Sequence, residues 1–237
     1  MDFPAEACCD PFFVVAPGGT IVDASVLLAG IHVVPVVALE DEVKAVPLAE
    51  ALLAAGVRAM EITLRTGAAL AAIEGVARAV PDLLVGAGSL RQADQFPQVA
   101  AAGARFAVSP GSSARLLAAA EASGLPFVPG AVTATEIIAL LEQGYRLQKF
   151  FPAEPSGGLV TLRALGAPLP EVRFFPTGGI SLQLARDYLA FDRVACVGGS
   201  WFVPEALLEQ NDFTAIRRLA AEAVTATERA RSLSGRA

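Results

Sequence analysis

Leu147-Gln148-Lys149-Phe150-Phe151-Pro152-Ala153-Glu154 sets a single ammonium inside a short apolar run, stops at a proline and is soon followed by the pair Gly157-Gly158. Proline ends a ladder and glycines open a turn, so the stretch reads as a strand handing over through a loop to a helix. The lysine within it admits two readings. Its alkyl stem can snorkel past Phe150 or Phe151 and leave the charge in water. If it is instead enclosed, loss of water favours the neutral amine, and a neutral amine is a nucleophile.

Outward from this strand the same unit recurs. Upstream, a short helix is expected over Thr20 to Gly30, then an apolar run His32–Leu39 and a helix Asp41–Ala55 closed by Gly56, with Pro47 either kinking it or marking its regular start. Next come a strand Arg58–Leu64, a helix Gly67–Val80, a strand Leu83–Ala87, a helix Gln92–Ala102, a strand Arg105–Ser109 and a helix Ser112–Ala122. A strand Pro126–Val128 and a helix Thr133–Glu142 lead into the lysine strand. Beyond it lie a helix Gly157–Leu165, a strand Arg173–Pro176, a helix Ser181–Ala190, a strand Arg193–Val197 and a helix from Asp212. About eight strand-then-helix units in roughly 200 residues predict an α/β fold, a single (β/α)8 TIM barrel with a short N-terminal helix. An open doubly wound sheet is the competitor, but its Gly-x-Gly-x-x-Gly turn is missing after the first strand. Residues 1–19 read as a poorly ordered extension, 20–230 as the barrel domain and 231–237 as a fraying tail.

The bulk numbers fit this. With 237 residues, 54% of them hydrophobic, the chain can bury a large core. A net charge of -6 without any basic run argues against nucleic acid and anionic membrane as partners, leaving an anionic small molecule as possible ligand. Cys8 and Cys9 are adjacent and Cys196 sits in an apolar run, so no disulfide framework is expected and a reducing cytoplasm fits. Asp2, Glu6 and Asp10 occupy the place of a positive signal-peptide region, and Pro17, Gly18, Gly19 and Asp23 interrupt the apolar stretch Phe12–Ile31.

In a barrel of this kind, chemistry sits at the C-terminal ends of the strands. Alternation along Met60-Glu61-Ile62-Thr63-Leu64-Arg65 puts Glu61, Thr63 and Arg65 on one face, aimed at the mouth, although a Glu61–Arg65 ion pair could simply neutralise itself. Gly88-Ser89 and Ser109-Pro110-Gly111 follow the third and fourth strands; each is also ordinary turn chemistry. The glycine pairs Gly178-Gly179 and Gly198-Gly199, the second followed by Ser200, fall after strands 7 and 8, where backbone N–H groups and helix starts commonly hold phosphate. His32, the sole histidine, reads as structural; with no second His or nearby Cys at metal-ligand spacing, no metal site is expected.

The segments Glu61-Ile62-Thr63-Leu64-Arg65-Thr66, Gly86-Ala87-Gly88-Ser89, Phe106-Ala107-Val108-Ser109-Pro110-Gly111, Lys149-Phe150-Phe151-Pro152-Ala153-Glu154, Pro176-Thr177-Gly178-Gly179-Ile180 and Gly198-Gly199-Ser200-Trp201 closely resemble the class I 2-keto-3-deoxy-6-phosphogluconate (KDPG) aldolases, in unbroken order from about Ile31 to Val224. The resemblance implies a homotrimeric barrel, aldol cleavage of a phosphorylated keto acid to pyruvate and glyceraldehyde 3-phosphate, and neither cofactor nor metal. It implies Lys149 as Schiff-base lysine, Glu61 as acid/base and Arg65 as carboxylate clamp. Gly178, Gly179, Gly199 and Ser200 would hold phosphate, with Phe151 and Pro110 lining the pocket. Ser89 stands where the family usually has threonine, keeping the hydroxyl and losing the methyl. Rival readings keep the lysine but change the substrate to the galactonate epimer or 4-hydroxy-2-oxoglutarate, or keep the barrel and make it a phosphosugar isomerase, epimerase or binding protein.

Overall fold

A computed structural model of the protein describes residues 24–234. The extension assigned to residues 1–19, and the start of the helix expected from Thr20, lie outside the described residues. The elements run α1 (Ala24–Leu27), β1 (Val33–Val37), a 3-10 turn (Glu42–Lys44), α2 (Ala45–Ala54), β2 (Ala59–Thr63), α3 (Ala69–Ala79), β3 (Leu84–Gly88), α4 (Gln95–Ala101), β4 (Phe106–Val108), α5 (Ala114–Ser123) and β5 (Phe127–Val128). They continue with α6 (Ala134–Glu142), β6 (Leu147–Phe150), α7 (Gly158–Gly166), β7 (Arg173–Pro176), α8 (Leu182–Leu189), β8 (Val197–Gly199), α9 (Glu205–Glu209) and α10 (Phe213–Ser234).

The α/β class holds, and the strand pairings are parallel. Ladder hydrogen bonds define a six-stranded sheet in the order β5-β4-β3-β2-β1-β8 and a separate β6-β7 pair, not one continuous eight-stranded ladder. Prolines are one reason. Pro126 and Pro129 bracket β5, and neither has an N–H to give to a ladder. Contact with β6 falls instead to Lys149 N–H donating to the Pro129 carbonyl and Ala131 N–H donating to the Lys149 carbonyl, both at 2.9 Å. Single parallel bridges join Gly130 to Lys149, Phe174 to Val194 and Thr177 to Gly198.

Period-two alternation divides the strand residues between two cores. Met60, Val85, Ala107, Phe127, Phe150 and Phe174 pack with the helices, whereas Val34, Ala59, Leu84, Phe106, Val128, Leu147 and Phe175 form an inner cluster with Cys196. Each fully buried Leu or Phe contributes about 1.5–3 kcal/mol relative to exposure. The Phe106 ring occupies the space a side chain at Gly86 would need, so that glycine is a requirement of inner packing.

Several elements depart from the sequence reading. α4 begins at Gln95 rather than Gln92, because Pro97 is tolerated only in a first turn and the Gln95 side chain caps the backbone N–H groups of Arg91 and Gln92. β8 begins at Val197, so the pair Gly198-Gly199 lies inside the strand instead of after it; a Cβ on Gly198 would come within 2.6 Å of the Thr177 hydroxyl on the neighbouring segment. The short α9 was not anticipated. α10 stays helical through Ser234 where fraying from Arg231 was expected, because the Arg231 guanidinium donates to the carbonyls of Val194 (2.7 Å) and Ala195 (3.4 Å). Pro47 falls in the first turn of α2, where its missing N–H has no helical partner to lose. Among the described residues, no helix is long and apolar enough to cross a membrane.

His32 is half-buried, and its Nδ1 has no hydrogen-bond partner among the described residues. Burial first, then the Arg231 and Arg58 guanidinium groups, hold it below its usual 6.5 against the opposing pull of Glu228 and of a backbone hydrogen bond at Ala195. A base whose folded value is depressed stabilises the fold above its unfolded value and loses that contribution as pH falls through the lowered one. The urea midpoint should therefore hold above about pH 6.5 and decline below it, and His32→Gln should flatten the decline. As the chain has one histidine, an unaltered slope in the variant would assign the titration to another group.

Candidate active site

β6 presents Leu147 and Lys149 inward and Gln148 and Phe150 toward the helices. Gln148 fixes that rotation: fully buried, it donates from Nε2 to the carbonyls of Ile137 (3.2 Å) and Tyr145 (2.9 Å), tying the strand to α6. The lysine that alternates with it is consequently enclosed. Lys149 is 4% exposed, and its Nζ donates to Glu61 Oε1 at 3.0 Å; Glu61 is 0% exposed. The snorkelling alternative is thereby removed.

The self-neutralising Glu61–Arg65 pair is not formed. Arg65 Nε donates to Thr63 Oγ1 (3.1 Å), and Thr63 in turn donates to the Val37 carbonyl (3.0 Å). Glu61 spends one oxygen on Lys149, while its Oε2 is buried without a partner among the described residues. Gly88 makes this geometry possible, since any Cβ there would strike the Glu61 carboxylate. A buried charge pair forms only when desolvation is offset by close contact, and the 3.0 Å separation supplies that contact.

Six of the residues singled out from sequence, Arg65, Phe151, Gly178, Gly179, Gly199 and Ser200, line one cavity of about 690 Å³. Lys149 and Glu61 are not in its wall, but Phe151 belongs to both places: its ring lines the cavity and its centroid is 5.4 Å from Lys149 Nζ. Ser89 and Pro110 do not line it. Ser89, in a left-handed conformation (φ 62), directly follows the Gly88 that faces Glu61. Pro110 packs on Gly130, the residue bridged to Lys149. Both therefore adjoin the ion pair through backbone.

The two glycine pairs have different causes. Gly178 (φ 106) and Gly179 (φ 80) adopt conformations that side chains resist, and they shape a turn on the cavity wall before Ser181 caps α8 by accepting from the Leu184 N–H at 3.3 Å. At Gly199 it is the Trp201 ring that fills the space of a Cβ, so this position is glycine for packing as well as for any contact with ligand.

Several cavity residues had no role in the sequence reading. Thr177, buried and with its hydroxyl unpartnered among the described residues, stands at the cavity wall just before Gly178. A hydroxyl at a strand end directly before a glycine pair was the available signal. Glu40 and Glu205 also stand in the wall, and no local pattern marked either glutamate. Cys196 is fully buried, and burial pushes its thiol up, away from thiolate chemistry.

Comparison with known proteins finds relatives over most of the chain. The family profile "KDPG and KHG aldolase" matches residues 23–219. The 2-dehydro-3-deoxy-phosphogluconate aldolase of Dickeya dadantii (strain 3937) is 49% identical over 199 residues, 84% of this chain and 93% of that one. The KHG/KDPG aldolase of Escherichia coli (strain K12) is 47% identical over 200 residues, with the same coverage of 84% and 93%. Among solved structures, KDPG aldolase from Legionella pneumophila, with pyruvate captured at low pH as a covalent carbinolamine intermediate, superposes with a TM-score of 0.82 at 41% identity, covering 85% of this chain and 98% of that one. The Zymomonas mobilis ZM4 aldolase with 3-phosphoglycerate gives 0.81 at 40% identity, covering 86% and 96%. A profile spanning most of the sequence, together with relatives of this identity over nearly their whole lengths, places the chain in the KDPG and KHG aldolase family.

Proposed function

We propose that this chain is a class I aldolase cleaving 2-keto-3-deoxy-6-phosphogluconate to pyruvate and glyceraldehyde 3-phosphate, with Lys149 as the imine-forming nucleophile. The observation that carries the proposal is the enclosed Lys149 amine, 3.0 Å from the Glu61 carboxylate and 5.4 Å from a ring of the cavity wall. A lysine so placed can pass a proton to its neighbour and attack a carbonyl.

Lys149 adds to the C2 ketone, and loss of water gives a protonated imine that acts as electron sink. A base removes the C4 hydroxyl proton, the C3–C4 electrons flow into the imine, and glyceraldehyde 3-phosphate leaves an enamine behind. Protonation at C3 and hydrolysis then release pyruvate and restore the lysine. Glu61 moves these protons, its unpartnered Oε2 being the free acceptor of a buried carboxylate. Arg65 binds the C1 carboxylate: Nε is held by Thr63, and the terminal nitrogens are left for a paired contact that lysine cannot copy. Gly178, Gly179, Gly199 and Ser200, all on the cavity wall, receive the phosphate. Ser89 and Pro110 act from beside the ion pair, orienting the keto-acid end.

The proposal extends to architecture. The six-stranded sheet and the β6-β7 pair form one closed (β/α)8 barrel over roughly residues 20–230, a reading supported by the single bridges that join their edges. A homotrimer, as the resemblance implies, and a cytoplasmic location, as the cysteine usage fits, complete it. Borohydride added with pyruvate should fix a pyruvate-derived mass on the peptide containing Lys149. Label on another residue, or none, would remove the imine mechanism. Turnover of the galactonate epimer and of 4-hydroxy-2-oxoglutarate, measured beside the gluconate compound, ranks the substrates.

A further inference from the structure

A turn made of two glycines is the most pliant backbone available, yet a phosphate grip works only when its N–H groups are fixed in advance. What fixes Gly178-Gly179 lies outside the cavity wall. On one side is the loop leaving β6. Ala153 N–H donates to the Thr177 carbonyl (2.9 Å) and Glu154 N–H to the Gly178 carbonyl (3.1 Å), zipping the two loops together. The packing is close as well: a Cβ on Gly178 would come within 3.2 Å of Pro152 Cα, and one on Gly179 within 2.9 Å of Glu154 Cβ and 3.0 Å of Cγ. Gly179 thus rests on the stem of the Glu154 side chain.

That stem is held by its far end. Tyr188, fully buried on α8, donates its phenol to Glu154 Oε1 at 2.6 Å. Burial, and then the carboxylate itself, push the phenol above its usual value near 10, so it stays protonated and able to donate. Neither Tyr188 nor Glu154 lines the cavity. The chain of contact therefore runs from the phenol of α8, through the carboxylate at the end of the Lys149 loop, to the underside of the glycine turn.

We propose that Tyr188 is a positioning residue for the phosphate end of the substrate, acting through Glu154 to hold the Gly178-Gly179 turn in its anion-binding shape. This rests on the reading of that turn as the phosphate site. A residue that only supported the fold would weaken both ends of the site alike; a positioning residue of this kind affects one end.

The test compares Tyr188→Phe, which keeps the ring and removes the donor, with Glu154→Ala and Glu154→Gln. The readout for the phosphate end is binding of inorganic phosphate, followed by fluorescence of Trp201, the sole tryptophan, which lines the cavity. The second readout is KM for the phosphorylated substrate. Tyr188→Phe and Glu154→Ala should each weaken phosphate binding and raise that KM about tenfold, the scale of a lost hydrogen bond to a charged group, with kcat within about twofold. Borohydride trapping of pyruvate should stay within about twofold in both. Glu154→Gln, whose amide oxygen still accepts from the phenol, should resemble the parent. Unchanged phosphate binding in Tyr188→Phe, equal losses at phosphate and pyruvate, or a Glu154→Gln as impaired as Glu154→Ala would each overturn the assignment. Failure of the parent protein itself to trap pyruvate would instead strike the imine mechanism, and the phosphate titration would still decide the role of Tyr188.

Discussion

A Lys149→Met variant should show no borohydride-trapped pyruvate and should lose about four orders of magnitude or more in kcat, the scale that follows removal of a covalent nucleophile. It should also be less stable, and that second effect tests the geometry independently of the chemistry. Lys149 is the hydrogen-bonded counter-charge of Glu61, a carboxylate with 0% exposure. Taking away one partner of a buried pair leaves the other charge uncompensated, at a cost of about 3–5 kcal/mol. Pairing the change with Glu61→Gln, which removes the stranded charge, should restore most of the urea midpoint while leaving turnover abolished. The double variant is informative because coupled neighbours give non-additive losses and independent sites do not. Retained turnover in the single variant would end the imine proposal. A single-variant loss no larger than that of an exposed substitution would contradict the enclosed pair.

How far the sequence reached is visible in these same residues. The repeated strand-then-helix rhythm and the alternation about Lys149 and Glu61 are local properties, and local patterns carry them well. The partnership of those two side chains is not local. They lie 88 positions apart on β2 and β6, strands that are not neighbours in either sheet, so the contact crosses the interior. No spacing in the chain encodes it. Arg65 left two readings open, a self-neutralising pair with Glu61 or a side chain aimed at the mouth; β2 ends at Thr63, and the side chain lines the cavity without pairing with Glu61. The guanidinium turns to Thr63 instead. At Gly198-Gly199 the pattern was read as a ligand loop, whereas the Thr177 hydroxyl and the Trp201 ring explain the missing side chains by packing. The Tyr188–Glu154 contact, 34 positions apart, was equally silent, because a tyrosine inside an amphipathic helix looks like any other core residue.

Glu61→Gln separates binding of the carbonyl from movement of protons. The amide keeps nearly the same shape and can still accept from Lys149, so Lys149 retains a partner and the imine with pyruvate should still form under borohydride. What is lost is the ability to take a proton from the C4 hydroxyl and return one to C3, and removal of a general acid/base typically slows turnover by about 10²–10⁴-fold. The two proton transfers can be examined apart. Cleavage needs the C4 transfer, whereas exchange of the pyruvate methyl hydrogens with heavy water needs only imine formation and reversible C3 protonation. If Glu61 serves both, as its unpartnered Oε2 in the interior suggests, cleavage and exchange should fall together. A fall in cleavage with exchange intact would confine Glu61 to the C4 hydroxyl and assign C3 to another donor. Unchanged rates for both would remove Glu61 from the proton chemistry and leave it as the counter-charge that keeps Lys149 in place.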